Sequence, residues 1–548
     1  MTVPPPTPYS AHVDSFARDR LPAADQLPEF LFELPELQFP ERLNCASELL
    51  DRHVREGRGE RLCIQGPGVR WTYAELQARA NSIANVLVHD LGLLPGNRVL
   101  LRGANSPLLA ACWLAVVKAG AIAVGSMPLL RARELAAIID KAQVTHALCD
   151  AGLADELQQA AQSCPTLKNV VYFGASASQA ASAKSLESLA AAQSTNFDNV
   201  DTGAQDPCLI AFTSGTTGVP KGTVHFHRDV MAACACWPPY VLRPLPDDVF
   251  IGSPPLAFTF GLGGLLLFPL AVGASTVLIE KATPEILLPA IAQYRATVCF
   301  TAPTSYRAMA GMVAEHDLRS LRKCVSAGEA LPAATRALWK QAAGIELIDG
   351  IGSTEMLHIF ISADEENARP GATGLPVPGY RAAVLRDDGS PAAVGEVGRL
   401  AVKGPTGCKY LADERQAAYV QNGWNITGDA YLVDSDGQFV YQARTDDMII
   451  SGGYNIAGPE VEAALLLHPA VAECGVVGQP DEARGMVVKA FVVLRPGNAA
   501  DAAMAKALQD FVKQTIAPYK YPREIEFRSA LPRTETGKLQ RFKLKAGA

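Results

Sequence analysis

The chain has 548 residues with 49 Lys+Arg against 56 Asp+Glu, a formal net charge of −7. With 49% hydrophobic and 19% charged residues it is composed like a globular protein and is too apolar to remain disordered. A mild acidic excess argues against gripping nucleic acid or an anionic membrane, since both need a basic face, but it leaves room for a local basic patch around a phosphorylated ligand. The length suggests about three or more structural units.

The amino terminus, MTVPPPTPYSAHVDSFARD, has neither a basic start nor an apolar run, so no signal peptide is expected. The rest of the first 60 residues, ending in NCASELLDRHV, reads as an extension packed on the body. The twelve cysteines, from Cys45 to Cys474, include no CxxC pair and no Cys/His cluster at zinc spacing. They are expected to be buried thiols of a reducing, cytoplasmic compartment. From Arg61 onwards, helical patterns (WTYAELQARANSIANVLVHD, SPLLAACWLAVVKAG) alternate with short apolar strands (RVLLRG, AIAVGSMP). That alternation predicts parallel sheets covered by helices on both faces. The stretch GASASQAASAKSLESLAAAQST, starting at Gly174, is low-complexity and is expected as a surface excursion.

Ile251 to Ile279 carries no charge and is long enough to span a bilayer. Pro254, Pro255 and Pro269 interrupt it, and five glycines divide it further, so a turn, a buried helix and a core strand fit better. Between Ala382 and Val440 short strands with Gly and Asp-Gly punctuation predict hairpins in a small barrel or distorted sheet. After Arg444-Thr445-Asp446-Asp447 a compact unit follows, with strands ECGVVG and VVKAFVVL and a helix around Met504, Leu508, Phe511, Val512 and Ile516. The expected fold is thus α/β: an N-terminal domain (1–445) of two helix-covered sheets plus a β-barrel-like subdomain, and a small α+β C-terminal domain (446–548).

One segment speaks most directly to chemistry. In Ile210-Ala-Phe-Thr-Ser-Gly-Thr-Thr-Gly-Val-Pro-Lys-Gly222 an apolar strand runs into a loop with Thr213, Ser214, Thr216, Thr217, glycines and Lys221. Glycines let backbone N–H groups converge, hydroxyls add short donors and the lysine adds charge, which suits a polyphosphate. It is not the usual P-loop, because Pro220 stands at the second glycine position and Gly222 follows Lys221.

TSGTTGVPKG resembles the signature loop of the adenylate-forming superfamily, which includes acyl-CoA synthetases, peptide-synthetase adenylation domains and beetle luciferases. Further segments match in order: KAGAIAVGSMP (Lys118–Pro128), DGIGSTE (Asp349–Glu355), WNITGDAY (Trp424–Tyr431), ARTDDMIISGGYNIAGPEVE (Ala443–Glu462) and PRTETGKLQR (Pro532–Arg541). The resemblance implies that an acid is joined to AMP from ATP and then passed to the thiol of coenzyme A. A carboxylate is a poor electrophile until it becomes an acyl-phosphate anhydride, so catalysis is mostly positioning and charge stabilisation.

By that resemblance Thr213, Ser214, Thr216, Thr217 and Lys221 hold the departing phosphates. Glu355 is similar to the Mg²⁺ ligand and Thr354 to the α-phosphate contact. Asp349 and Ile351 lie in the adenine segment, and Asp429 and Arg444 resemble the ribose contacts. Lys538 is similar to the catalytic lysine, Asp446 to the hinge of a mobile C-terminal domain, and Gly452-Gly453 to the lining of a channel for coenzyme A. The acyl pocket is expected near Phe258, Thr259, Phe260, Gly328, Ile351 and His358, where two phenylalanines suit a flat ring. Ala257-Phe258-Thr259 offers no acid to bind an α-ammonium group, and DGIGSTEMLHIF with HFHRDV looks like the benzoate-CoA and 2-aminobenzoate-CoA ligases, closer to the latter. His225 and His227 read as structural. The expected partner is a small aromatic acid, with no nucleic acid or membrane, and the assembly is a monomer or homodimer. A stand-alone adenylation enzyme that loads a carrier protein is the competing reading.

Overall fold

The local signals are used where the chain places them. Thr72 accepts from the Glu75 amide while the Glu75 carboxylate accepts from the Thr72 amide, a reciprocal cap that starts the helix Tyr73–Asn85. Ser106 and Pro107 start the helix Pro107–Lys118 in the same economical way, with a hydroxyl acceptor and a proline that needs no partner. The computed structural model describes residues 9–174, 185–213, 220–451, 454–481, 485–516, 518–533 and 539–546. Ser214, Thr216, Thr217, Gly452, Gly453, Lys538 and residues 175–184 of the low-complexity stretch lie outside the described residues.

Two large sheets form the body. A six-stranded sheet runs Asn169–Phe173, His146–Asp150, Arg98–Arg102, Ile122–Ser126 and Pro207–Thr213 in parallel, with Lys221–Phe226 antiparallel at its edge. A nine-stranded sheet has a parallel centre from Leu62–Gly66 through Ser275–Val277, Val249–Gly252, Val298–Thr301 and Lys323–Ser326 to Leu347–Gly352. The largest apolar cluster joins the two sheets through the helices between them: Val99 and Leu101 from one, Ile64, Phe250 and Phe300 from the other, Leu76, Ile83 and Leu114 from the helices. Separate clusters cover the outer faces. The charge-free segment becomes the strand Val249–Gly252, helical turns from Thr259 to Val272 and the strand Ser275–Val277. No helix among the described residues is long and apolar enough to cross a membrane.

The β-rich stretch forms a five-stranded antiparallel sheet, with irregular register between Arg399 and Ala401 and between Ala430 and Tyr431. The last strand of that sheet, Phe439–Arg444, ends at a short turn, Thr445–Asp447. Beyond it a fourth sheet of Ile449–Ser451, Tyr454–Ile456, Val471–Asp481, Gly485–Leu494 and Glu524–Phe527 carries its own apolar core with the helices Gly458–Leu466 and Ala502–Thr515. All twelve cysteines are free and buried.

Lys118 shows what the KAGAIAVGSMP segment does for the fold. Its ammonium, 1% exposed, donates to both carboxylate oxygens of Asp51 at 2.5 Å and ties the N-terminal extension to the helix Pro107–Lys118. Burial lowers its pKa, and the Asp51 carboxylate opposes that. Lys118→Met leaves the partly buried Asp51 carboxylate its Gln77 and Asn199 donors but no counter-charge, so it is expected to lower unfolding stability by about 1–3 kcal/mol, whereas Lys118→Met with Asp51→Asn, which keeps an acceptor for those donors and removes the unbalanced charge, recovers part of the loss. Denaturant unfolding of the three proteins measures this.

Candidate active site

The phosphate-loop segment connects two antiparallel strands, Pro207–Thr213 and Lys221–Phe226, with Thr213 and Lys221 facing each other in register. The loop therefore feeds an edge strand and not a helix, so side chains and loop amides must supply the positive potential. A third strand-like segment lies beside it: the Val224 amide donates to the Lys409 carbonyl and the Leu411 amide to the Gly222 carbonyl, both at 2.8 Å. Adjacent residues of an extended chain point to opposite faces, and here that separates two tasks.

On one face, Tyr410 joins the phosphate hairpin to the residue proposed as metal ligand. Lys221 Nζ donates to the Tyr410 hydroxyl at 3.0 Å, and that hydroxyl donates to Glu355 Oε1 at 2.5 Å. The ammonium also stands 4.9 Å from the centre of the Tyr410 ring. Burial, followed by the Glu355 carboxylate, pushes the phenol pKa far above its usual value, so the bridging proton stays on tyrosine. Tyr419 packs edge-on against Tyr410 at 5.7 Å.

On the other face, Lys409 is fully buried and donates to Asp229 at 2.8 Å. Burial alone would raise the Asp229 pKa, but Lys409 and then His225 outweigh it and hold the carboxyl below the usual carboxylate range. Asp229 also accepts from the Phe226 amide at 3.0 Å and so caps the helix His227–Trp237. His225 reaches across the sheets, donating from Nε2 to the carbonyl of Thr354 at 2.8 Å. Burial lowers its pKa, consistent with a neutral imidazole. The structural role expected for His225 is thus specific: it holds the backbone just before Glu355.

The Asp429–Arg444 pair, expected to meet the ribose, is set by hairpin register. Asp429 and Arg444 are cross-strand partners on Trp424–Val433 and Phe439–Arg444, with Arg444 Nη1 3.2 Å from Asp429 Oδ1 and 3.1 Å from the Thr427 carbonyl. Gly428 has φ +77°, a conformation that favours glycine, and a Cβ there would lie 2.7 Å from the guanidinium and displace it. Burial raises the Asp429 pKa against the opposing pull of Arg444. Such a carboxylate gains from further donors such as vicinal hydroxyls. Asp349 and Ile351 lie on Leu347–Gly352, and burial pushes the Asp349 carboxyl up to about 7 while Arg336 opposes it.

Of the residues expected at the acyl pocket, His358 and Phe260 lie together in an aromatic cluster. His358, 4% exposed, sits among the rings of Phe268 (4.5 Å, edge-on), Trp237 (5.5 Å) and Phe260 (5.8 Å). A Cβ on Gly263 would lie 2.4 Å from its ring, so the helix must be bare there. Burial lowers its pKa to about 3, and neither ring nitrogen has a hydrogen-bond partner of good geometry, although the Phe260 backbone is near. Phe260 joins this aromatic group; Phe258 makes no ring contact among the described residues and instead precedes the helical turn Thr259–Leu262. Thr259 is buried, Ile351 half-buried against the main core, and Gly328, with φ +91°, is exposed at a loop.

Three candidate features differ from their sequence neighbourhoods. Tyr410 escaped sequence reasoning because nothing in KYLADERQ distinguishes it from a core tyrosine. The Asp229–Lys409 pair, 180 positions apart, was equally invisible. Cys45, Cys208 and His227, unremarkable in spacing, converge with ligand atoms within 4.8 Å of one another. There His227 Nδ1 already accepts the Cys45 amide at 3.1 Å, which occupies the lone pair a metal would need, so the group is a packed core cluster.

The donor set fits Mg·ATP. Glu355 is 7% exposed and has a hydrogen bond on Oε1 alone among the described residues, leaving Oε2 for a hard cation. Thr213 Oγ1, at the mouth of the phosphate loop, is buried without a partner among the described residues. Tyr410→Phe removes the link between Lys221 and Glu355 and is expected to weaken Mg·ATP binding by roughly 2–10-fold with the fold intact. Isothermal titration calorimetry and far-UV circular dichroism check the two halves.

Comparison with known proteins follows the same lines. The AMP-binding enzyme family model matches residues 50–410, and the AMP-binding enzyme C-terminal domain matches residues 460–538. The benzoate–CoA ligase of Thauera aromatica is 37% identical over 519 residues, covering 93% of this chain and 97% of that protein. Among solved structures, the anthranilate CoA ligase AuaEII in complex with anthranoyl-AMP superposes with a TM-score of 0.89 at 35% identity, covering 94% of this chain and 99% of that one. A benzoate CoA ligase from Burkholderia xenovorans LB400 gives 0.83 at 32% identity, covering 92% and 100%. Both family models matching in sequence order, and the 37% identity across almost the whole chain, mean that the chain belongs to the AMP-binding enzyme family, the adenylate-forming superfamily, as an AMP-forming acid–thiol ligase.

Proposed function

We propose that the protein adenylates an aromatic carboxylic acid, 2-aminobenzoate by preference, and transfers the acyl group to coenzyme A. One observation carries the choice of acid: among the described residues, the neutral imidazole of His358 has no hydrogen-bond partner of good geometry, only the nearby Phe260 backbone, and it is enclosed by Trp237, Phe260 and Phe268. A buried polar group of this kind favours a ligand that completes its hydrogen bonding. In this reading the ligand's ring packs beside Phe260, and its ortho amino N–H donates to the imidazole's acceptor nitrogen. The likeness to a ligase solved with anthranoyl-AMP supports this reading. Benzoate is the second reading, supported by the 37% identity to a benzoate–CoA ligase.

In the first half-reaction a carboxylate oxygen bonds to the α-phosphorus of ATP while the bond to pyrophosphate breaks. Lys221 and Thr213, with Ser214, Thr216 and Thr217 of the same loop, hold the departing phosphates. Glu355 and Thr354 hold the metal and α-phosphate side, with Thr354 fixed from behind by His225. Mg²⁺, when bound, neutralises phosphate charge. Asp429 and Arg444 hold the ribose, Asp349 and Ile351 the adenine edge. Lys538 neutralises the oxygens that meet at the α-phosphorus. In the second half-reaction the small domain turns about Asp446, Gly452-Gly453 admit the pantetheine arm, and the thiolate bonds to the acyl carbon as AMP leaves.

Assaying radiolabelled ATP with benzoate, 2-aminobenzoate, hydroxybenzoates, phenylacetate and short fatty acids tests the proposal. AMP, acid-dependent and greatest with 2-aminobenzoate, is expected; ADP, or preference for an aliphatic acid, refutes it. Comparing free coenzyme A with a phosphopantetheinyl carrier protein decides the acceptor. Lys538→Ala is expected to lose adenylation roughly 10²–10³-fold, the scale of one transition-state donor, while still converting a supplied acyl-adenylate to thioester. His358→Leu is expected to narrow the preference for 2-aminobenzoate over benzoate by roughly 2–10-fold, read as the ratio of the two kcat/KM values.

A further inference from the structure

Cys45, Cys208 and His227 form a core cluster with no part in the proposed chemistry. Cys45 lies just before the helical segment Ser47–Asp51 of the N-terminal extension, and Cys208 lies on Pro207–Thr213, the first strand of the phosphate hairpin. Both side chains are fully buried, and their sulfurs lie within 4.8 Å of each other. The flanking segments are already pinned together: the Leu43 amide donates to the Thr202 carbonyl at 2.8 Å, and the Thr202 hydroxyl donates to the Leu43 carbonyl at 2.8 Å. Cys208 also sits where the pairing of Pro207–Thr213 with Lys221–Phe226 slips register, between Pro207 and Leu209. A residue at such an irregularity is released from strict alternation and its side chain is re-aimed, here towards Cys45.

The two thiols are unequal. Burial alone would raise the Cys45 pKa, but the Cys208 thiol and His227, whose Nδ1 stands 3.3 Å from the Cys45 sulfur, outweigh it and hold it at about 6. Burial, then Cys45 and Asp229, raise the Cys208 thiol far above its usual value, with Lys409 opposing. The proton between the sulfurs therefore stays on Cys208, and Cys45 is the nucleophile of the two. A cavity of about 470 Å³ reaches the flanks of the cluster: Leu43 and Asn44 line it beside Cys45, and Met231 lines it one turn along the helix His227–Trp237 from His227.

We propose that Cys45 and Cys208 are a peroxide-sensitive pair that closes to a reversible disulfide and ties the N-terminal extension to the first strand of the phosphate hairpin. In the first step the Cys45 sulfur bonds to one oxygen of hydrogen peroxide as the O–O bond breaks. The other oxygen leaves as water with the thiol proton, and the sulfur, oxidised by two electrons, becomes a sulfenic acid. In the second step the Cys208 sulfur bonds to the Cys45 sulfur, and the sulfenic hydroxyl leaves as water with the Cys208 proton. Two thiols and one peroxide thus give one disulfide and two waters. The inference needs neither ATP nor an acid and stands apart from the proposed function.

The reduced full-length protein is titrated with hydrogen peroxide, denatured, alkylated with iodoacetamide and mapped by mass spectrometry without reduction. Two of the twelve cysteines are expected to escape alkylation, in one linked pair of peptides that carry Cys45 and Cys208, and dithiothreitol is expected to restore both. Cys45 is expected to react roughly 10-fold or more faster than Cys63 and Cys112, whose thiols burial pushes well up. Cys208→Ser removes the resolving thiol, so Cys45 stops as a sulfenic acid that dimedone traps; Cys45→Ala leaves Cys208 as a thiol. Far-UV circular dichroism checks that both variants fold, and the wild-type peptide map decides the proposal where one does not. A link from Cys45 to Cys234, a thiol on the helix His227–Trp237 that feels the charge of Cys45, overturns it. So does uniform slow oxidation of all twelve thiols, or no linked pair at a peroxide excess that oxidises the methionines.

Discussion

The active site depends on one chain of contacts, ammonium to phenol to carboxylate, from Lys221 through Tyr410 to Glu355. Each member belongs to a different part of the fold: the edge of the six-stranded sheet, the approach to the antiparallel sheet, and the exit from the nine-stranded sheet. A charge-assisted hydrogen bond in a buried setting is strong and directional. Fixing Tyr410 therefore fixes the distance between Lys221, proposed to meet the departing phosphates, and Glu355, proposed to meet a cation. The tyrosine keeps its proton because burial and Glu355 both disfavour phenolate.

The floor beneath this chain is built by the opposite face of the same short segment. Lys409, next to Tyr410 in an extended stretch, points away from the nucleotide site and neutralises Asp229, which caps a helix and lies beside His225. Buried ion pairs are weak evidence of stability, since removing two charges from water offsets most of their attraction. What this pair supplies is placement. It holds the strand whose His225 grips the carbonyl of Thr354, and that carbonyl sets where Glu355 begins. The two faces of one extended segment thus carry separate jobs, one facing ligand and one facing core.

The acyl end follows a different physical logic. Around His358 the walls are rings and a glycine, and the polar atoms present are few and poorly satisfied. In the proposed reading, recognition there depends on shape and on one imidazole, while the phosphate end relies on several donors meeting spread charge. A chain with these two ends can keep its phosphate chemistry while the acid it takes changes with a handful of side chains.

Much of this was legible in the residues. Alternating helical and apolar patterns gave the parallel sheets, and Gly and Asp-Gly punctuation gave the antiparallel stretch. The Asp429–Arg444 pair was foreseeable as two named residues, and the hairpin register joined them. Tyr410, the Asp229–Lys409 pair and the His225–Thr354 hydrogen bond were not legible. Their partners lie 55, 180 and 129 positions apart. By itself the sequence determined the local periodicities and the motifs whose donors suit polyphosphate, because these are properties of neighbours along the chain. Only the tertiary structure decided which tyrosine, lysine and histidine meet which carboxylate or carbonyl, because the strength of such a contact depends on water excluded by elements far away in sequence.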